Sequence, residues 1–124
     1  MRKKVLIVED DLMIAYLMET YLQESGCVEV IGSVDNGADA IKMALELNPD
    51  VILMDIRIEG DIDGIETADM INESSETPII FTSGNSDQKT TDRASKSNMQ
   101  SFLVKPVNKQ ELMELICSSQ KNLS

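Results

Sequence analysis

Four stretches of the chain are short, apolar and rich in β-branched residues: Val5-Leu6-Ile7-Val8, Val51-Ile52-Leu53-Met54, Ile79-Ile80-Phe81-Thr82 and Phe102-Leu103-Val104. Runs without polar alternation suit strands covered on both faces. A fifth stretch, Val28 to Val34, alternates more and is interrupted by Gly32, which predicts an edge strand. Between these lie segments of helical period. Leu12 to Gln23 places Ile14, Leu17, Met18, Tyr21 and Leu22 on one face, and Ala38 to Leu47 does the same with Ile41, Ala44 and Leu45. The last helix carries a full start signal: Asn108 as N-cap, Glu111 to complete a capping box, and Val107 set to staple against Leu112. Leu112, Leu115 and Ile116 then face the core. From Ser83 to Gln100 the only sizeable apolar side chains are Ala94 and Met99. A helix near Asp87 to Ser97 therefore buries little and is expected to be the most loosely held element, a candidate moving part.

Strand and helix alternate five times, with connections too long for hairpins. This implies an α/β fold, a doubly wound parallel sheet with right-handed crossovers and helices on both faces. At 124 residues the chain fits one domain, taken as residues 1–124. No run approaches the ~18 apolar residues of a membrane span, and the basic head Arg2-Lys3-Lys4 precedes too short an apolar run for a secretory signal. A cytoplasmic protein without membrane insertion is expected. The net charge of -11 argues against direct binding to nucleic acid and favours cations and basic partners. Cys27 and Cys117 show no metal-ligand spacing, and the chain has no histidine to complete a zinc site. Both cysteines read as small hydrophobes.

The polar residues at the strand ends change the picture. The first strand runs into Glu9-Asp10-Asp11, the third into Asp55, the fourth into Ser83 and the fifth into Lys105-Pro106. In open α/β sheets ligands bind outside the carboxyl ends of the strands. Acids, a hydroxyl and an ammonium thus converge on one edge. Converging carboxylates repel unless neutralised, and an all-oxygen cluster suits a hard cation, with Mg²⁺ the usual choice where phosphate is handled. The lysine and hydroxyl opposite leave room for a phosphoryl group. With no histidine and no glycine-rich phosphate loop, the best nucleophile is a carboxylate, and Asp55 sits at the centre. Each residue also has a plainer reading. Asp55 alone would pass for a turn former or cap, Lys105 for a solvated lysine, and Phe102 for ordinary core. Asp11 is expected to cap the first helix. Asp61-Ile62-Asp63-Gly64 lacks the rest of an EF-hand and reads as a solvated turn. The eight methionines read as adaptable packing.

Taken together, "KKVLIVEDD", "VILMDIRIEGDIDG", "PIIFTSG" and "SFLVKPVNKQEL" resemble the receiver domain of two-component response regulators, the CheY-like fold. The resemblance spans essentially the whole chain. It implies a flavodoxin-like five-stranded sheet of order 2-1-3-4-5, with Asp55 as phosphoacceptor and Glu9 and Asp10 as the acidic pair that organises Mg²⁺. The backbone carbonyl of Arg57 would add a ligand. Ser83 matches the hydroxyl that senses the phosphoryl oxygen, Lys105 the lysine that pairs with it, and Phe102 the aromatic switch residue. A cis bond is implied for Lys105-Pro106. The turn after Asp55 departs from the family by being longer and more acidic, over Glu59 to Gly64.

The expected function is a phosphorylation-controlled switch. A histidine kinase or phosphotransfer protein would donate to Asp55 with Mg²⁺, and the signal would leave through the surface of the fourth helix, fifth strand and fifth helix, as a monomer or a phosphorylation-linked dimer. Such a domain is a regulatory phosphoacceptor rather than an enzyme, although it assists its own phosphorylation and dephosphorylation. The rival from another class is a metal-dependent phosphohydrolase working through an aspartyl phosphate. It usually needs a second acid two residues past the nucleophile, where this chain has Arg57. An inert interaction module of the same fold is a third reading.

Overall fold

The structure, a computed structural model, describes residues 2–58, 60–84, 88–97 and 99–121. Five strands and five helices alternate along the chain: β1 (Lys3–Val8), α1 (Leu12–Ser25), β2 (Val28–Val34), α2 (Gly37–Leu47), β3 (Val51–Asp55), α3 (Gly64–Ile71), β4 (Ile79–Ser83), α4 (Gln88–Ser95), β5 (Met99–Val104) and α5 (Lys109–Lys121). The strands form one parallel sheet in the order β2-β1-β3-β4-β5. This is the flavodoxin-like, doubly wound arrangement, with β2 on an edge.

Side chains alternate across the sheet and divide the apolar residues into two cores. Leu6, Val8, Ile52, Met54, Ile79 and Phe81 point to one face, where α2, α3 and α4 supply Ala40, Ala44, Ala68, Ile71 and Ala94. Val5, Ile7, Val51, Leu53, Ile80 and Leu103 point to the other, where α1 and α5 supply Met18, Leu22, Leu112 and Ile116. Continuous apolar runs are therefore needed in the central strands, because every residue meets a helix.

Several local expectations shift. On α1 the buried positions are Ala15, Met18 and Leu22, while Leu17 is 44% exposed. On α2 they are Gly37, Ala40 and Ala44, with Leu45 56% exposed. Small residues take buried positions on both helices, Ala15 on α1 and Gly37, Ala40 and Ala44 on α2. A Cβ on Gly37 would come within 2.8 Å of the Ile62 side chain. Met99 belongs to β5 rather than to the segment before it. The sequence placed the start of α4 at Asp87, which lies outside the described residues. Within α4 the one buried residue is Ala94, so the element is held by little apolar area. Arg93 reaches Asp63 at 2.9 Å, and just past the helix the Ser97 hydroxyl donates to Asp69 at 2.6 Å.

The cysteines call for a correction. Cys27 and Cys117, far apart in sequence and taken as independent hydrophobes, meet as a disulfide with Cα atoms 5.9 Å apart. The turn between α1 and β2 and the second half of α5 pack on the same side of the sheet, and sequence distance concealed this.

Candidate functional site

The order β2-β1-β3 reverses the direction of winding between β1 and β3, so their carboxyl ends border the crevice where open α/β sheets bind ligands. β1 ends at Val8 and β3 at Asp55, with Val8 paired to Met54. Glu9 and Asp10 therefore emerge beside Asp55. On the far side, β4 ends at Ser83, in register with Val104 of β5, and the Lys105 amide donates to the Ser83 carbonyl at 2.8 Å. That bond hands the lysine side chain to the same edge. The Lys105-Pro106 bond is cis, as the resemblance implied.

The side chains converge. Lys105 Nζ lies 2.8 Å from Glu9 Oε1 and 3.0 Å from Asp55 Oδ2. Carboxylate oxygens of Glu9, Asp10 and Asp55 all fall within 4.8 Å of one another. Glu9 is 1% exposed and Asp55 3% exposed, so both charges sit out of water. Backbone donors hold the acids from behind: the Asp11 amide donates to Glu9 Oε2 at 3.1 Å, and the Arg57 amide to Asp55 Oδ1 at 3.2 Å. Asp11 itself caps α1, its carboxylate accepting from the amides of Met13 and Ile14.

Electrostatics follow from this crowding. Burial pushes the Glu9 carboxyl up, and its contact with Asp55 adds to the rise although Lys105 opposes it. Burial raises Asp10 as well, helped by the charge of Glu9. For Lys105, burial works against the charge, but the contacts with Glu9 and Asp55 outweigh it and the ammonium is held above its ordinary range. Among the described residues Lys105 pairs with two acids and Asp10 adjoins them, so the cluster carries more negative than positive charge.

Ser83 is buried at the end of β4, and Thr82, one residue earlier, pairs with Asp55 in the β3–β4 ladder. Among the described residues the buried Thr82 hydroxyl has no hydrogen-bond partner. Phe102 is half-buried, opposite Phe81 in register, and packs against the core beneath α2, α3 and α4. Glu9, Asp10, Asp55, Ser83 and Lys105 thus all reach the carboxyl edge of the sheet.

Two supporting features were not anticipated from sequence. A Cβ on Gly64 would sit 2.0 Å from the Asp55 carbonyl oxygen, so only glycine lets α3 start directly against the end of β3. Asp63 caps α3 through a capping box with Glu66, and its other oxygen accepts from Arg93 of α4. The Asp63-x-x-Glu66 spacing is a signal that could have found the start of this helix.

Residues 5–117 match the family model described as "Response regulator receiver domain". The chain belongs to this family. Among relatives, the receiver is 32% identical to the transcriptional regulatory protein LiaR of Bacillus subtilis over 95% of this chain and 56% of that protein. It is 30% identical to the response regulator protein VraR of Staphylococcus saprophyticus over 98% of this chain and 58% of that protein. The receiver thus spans a little over half the length of these curated relatives. Among solved structures it is similar to the signal receiver domain of a modulated diguanylate cyclase from Desulfovibrio desulfuricans G20, at 35% identity and a TM-score of 0.86 over 100% of both chains. The response regulator domain of Thermotoga maritima CheB matches at 26% identity and a TM-score of 0.88, over 98% of each chain. Receivers of this family serve two-component signalling. Among the described residues no helix is long and apolar enough to cross a membrane.

Proposed function

We propose that the chain, taken as one receiver domain over residues 1–124, is a cytoplasmic signalling switch that accepts a phosphoryl group on Asp55. The observation that carries this is the placement of Lys105 Nζ 3.0 Å from Asp55 Oδ2, beside a cluster of three acids. A structural salt bridge would need one acid; this lysine faces two, and a third acid adjoins them.

The donor set fits Mg²⁺. Its ligands are all oxygen, and they lie close enough to share one ion. Asp10 and Asp55, with Glu9 and the backbone carbonyl of Arg57, would hold it. The chemistry Mg²⁺ supplies when bound is neutralisation of charge on the phosphoryl oxygens.

The chain's own residues do the rest. Asp55, held through Oδ1 by the Arg57 amide, presents a carboxylate oxygen to the phosphorus of a phosphohistidine on a histidine kinase or phosphotransfer protein. The P–O bond forms as the P–N bond breaks, and the departing imidazole keeps the electron pair. Lys105 exchanges part of its pairing with Asp55 for a phosphoryl oxygen, and the Ser83 hydroxyl donates to another. Phe102 then follows Ser83, and α4, anchored by Ala94 alone among its buried residues, yields. The output surface is that of α4, β5 and α5, presented to an effector by a monomer or a phosphorylation-linked dimer. For the donor, Leu12, Met13 and Tyr16 on the first turns of α1 are 77%, 82% and 74% exposed, an apolar landing surface next to the acid cluster.

Arg57 stands where a phosphohydrolase of this chemistry usually carries its second acid, and this favours a switch over a turnover enzyme. Incubation with acetyl phosphate and Mg²⁺ is expected to add one phosphoryl mass to the intact protein and none to Asp55→Asn. Equal labelling of the two proteins refutes the reading.

A further inference from the structure

The Cys27–Cys117 pair lies at the opposite edge of the sheet from the acid cluster. Cys27 precedes β2, at the amino ends of the parallel strands, whereas Asp55 closes β3 at the carboxyl ends. The two Cα atoms are 5.9 Å apart, within the range a disulfide spans without backbone movement. Neither cysteine is fully buried, so both sulfurs sit at the margin of the core and not within it. Cys27 is also fixed locally: its amide donates to Ser25 Oγ at 3.2 Å, and its sulfur lies 3.4 Å from the same oxygen. The Ser25 hydroxyl in turn donates to the Leu22 carbonyl at 2.5 Å, which anchors the turn to the end of α1.

What the pair holds is α5. The helix buries Leu112 and Ile116 against Met18 and Leu22. Its first turn is tied to α1 by Lys109, which pairs with Glu24 at 3.1 Å and lies over the Tyr21 ring at 5.7 Å. Both members of that ion pair are more than half exposed, and such pairs hold weakly. Cys117 comes two turns later and is a covalent connection to the sheet. The fold has two apolar cores of its own and does not depend on a staple, as small disulfide-rich domains do.

We propose that Cys27 and Cys117 form a reversible thiol–disulfide site which, when closed, fastens the second half of α5 to the β2 edge. The oxidant is a low-molecular-weight disulfide such as oxidised glutathione. The thiolate of one cysteine attacks a sulfur of the donor, giving a mixed disulfide and releasing one small thiol. The second cysteine's thiolate attacks the protein sulfur of the mixed disulfide, forming the Cys27–Cys117 bond and releasing the other small thiol. The protein loses two electrons and two protons, and both pass to the donor, which leaves as two thiols. A bond between residues 90 apart restricts the unfolded chain strongly. The site stands apart from the reading of Asp55. Only its consequence for output, stiffening one wall of the α4-β5-α5 surface, rests on that reading.

The test reads thiols and stability, not phosphorylation. Reduced protein incubated with oxidised glutathione is expected to lose about 2 Da, to resist alkylation at both cysteines, and to yield a peptide linking Cys27 to Cys117. Its Tm is expected to rise by about 10 °C or more, and dithiothreitol reverses both changes. Cys117→Ser is expected to stop at a glutathione adduct on Cys27, with no such rise. Persistent alkylation of both thiols, linkage between chains, or an oxidised form that melts with the reduced one would overturn the proposal.

Discussion

Gly64 seats the start of α3 directly against Asp55, and Gly64→Ala is expected to unfold the domain at markedly lower temperature. The added Cβ would lie 2.0 Å from the Asp55 carbonyl oxygen and 2.8 Å from the Ile56 Cα, both backbone atoms with no rotamer to yield. Relief requires the start of α3 to retreat by about 1 Å, which stretches the 2.7 Å bond from the Gly64 amide to the Ile56 carbonyl and lifts Ile65, Ala68 and Ile71 from the core. Overpacking costs about 1–3 kcal/mol and the weakened hydrogen bond about 1 kcal/mol. Against this, alanine gains about 0.5–1 kcal/mol over glycine in a helix, too little to reverse the sign. A net loss of about 1–3.5 kcal/mol corresponds to a fall in Tm of about 4–14 °C for a domain of this size. Thermal unfolding followed by circular dichroism reads this directly. Gly84→Ala, where a Cβ would meet nothing within 4 Å among the described residues, is the control and is expected to melt with the wild type. A Gly64→Ala protein melting within about 2 °C of wild type would show that α3 does not abut β3 as described.

Other consequences are as concrete. Mg²⁺ is expected to raise the Tm of the wild type, because it relieves repulsion among Glu9, Asp10 and Asp55. Asp10→Asn is expected to raise the metal-free Tm slightly, by the equivalent of about 1 kcal/mol or less, and to abolish the response to Mg²⁺; calorimetry with and without the ion separates the two effects. Lys105→Met leaves Glu9 and Asp55 buried without their cation and is expected to cost about 2 kcal/mol at neutral pH. Protonation of Glu9, whose carboxyl burial already raises, restores part of the loss as the pH falls through its raised folded pKa; denaturant titrations at neutral and acidic pH would show it. Replacing exposed Tyr16 by Ala is expected to slow phosphotransfer from a histidine-kinase donor severalfold while labelling by acetyl phosphate stays unchanged. Equal slowing with both donors would place the defect in the site, not in docking.

The fold was legible because its signals are redundant. Val51 to Met54 and Ile79 to Phe81 are short, apolar and largely β-branched, which suits strands covered on both sides, and the alternation with helices leaves little freedom of topology. The placement of the candidate residues was legible for a related reason: once the strands are parallel, their carboxyl ends share an edge, where Glu9, Asp10, Asp55 and Lys105 come together and β4 ends at Ser83. What sequence could not give was the fine geometry. Leu17 outweighs Ala15 on any apolar scale, yet Ala15 shares the buried face with Met18 and Leu22 while Leu17 is 44% exposed, because docking sets which face of the helix is covered. No bounds for α3 emerged from periodicity, because its few apolar residues follow an acidic loop and its start depends on the close contact of Gly64 with Asp55. The meeting of Cys27 with Cys117 is a property of how α5 docks, and nothing near either residue in the chain encodes it.

Chemical location of the phosphoryl group bears most directly on the role of Asp55. An aspartyl phosphate is an acyl phosphate, and borohydride reduces it to homoserine, which peptide mass spectrometry can place in the sequence. After incubation with acetyl phosphate and Mg²⁺, homoserine is expected at position 55. 2-Amino-5-hydroxypentanoic acid at position 9, homoserine at position 10, or a stable phosphoester on Ser83 with position 55 unchanged, would contradict the assignment of Asp55 as the acceptor.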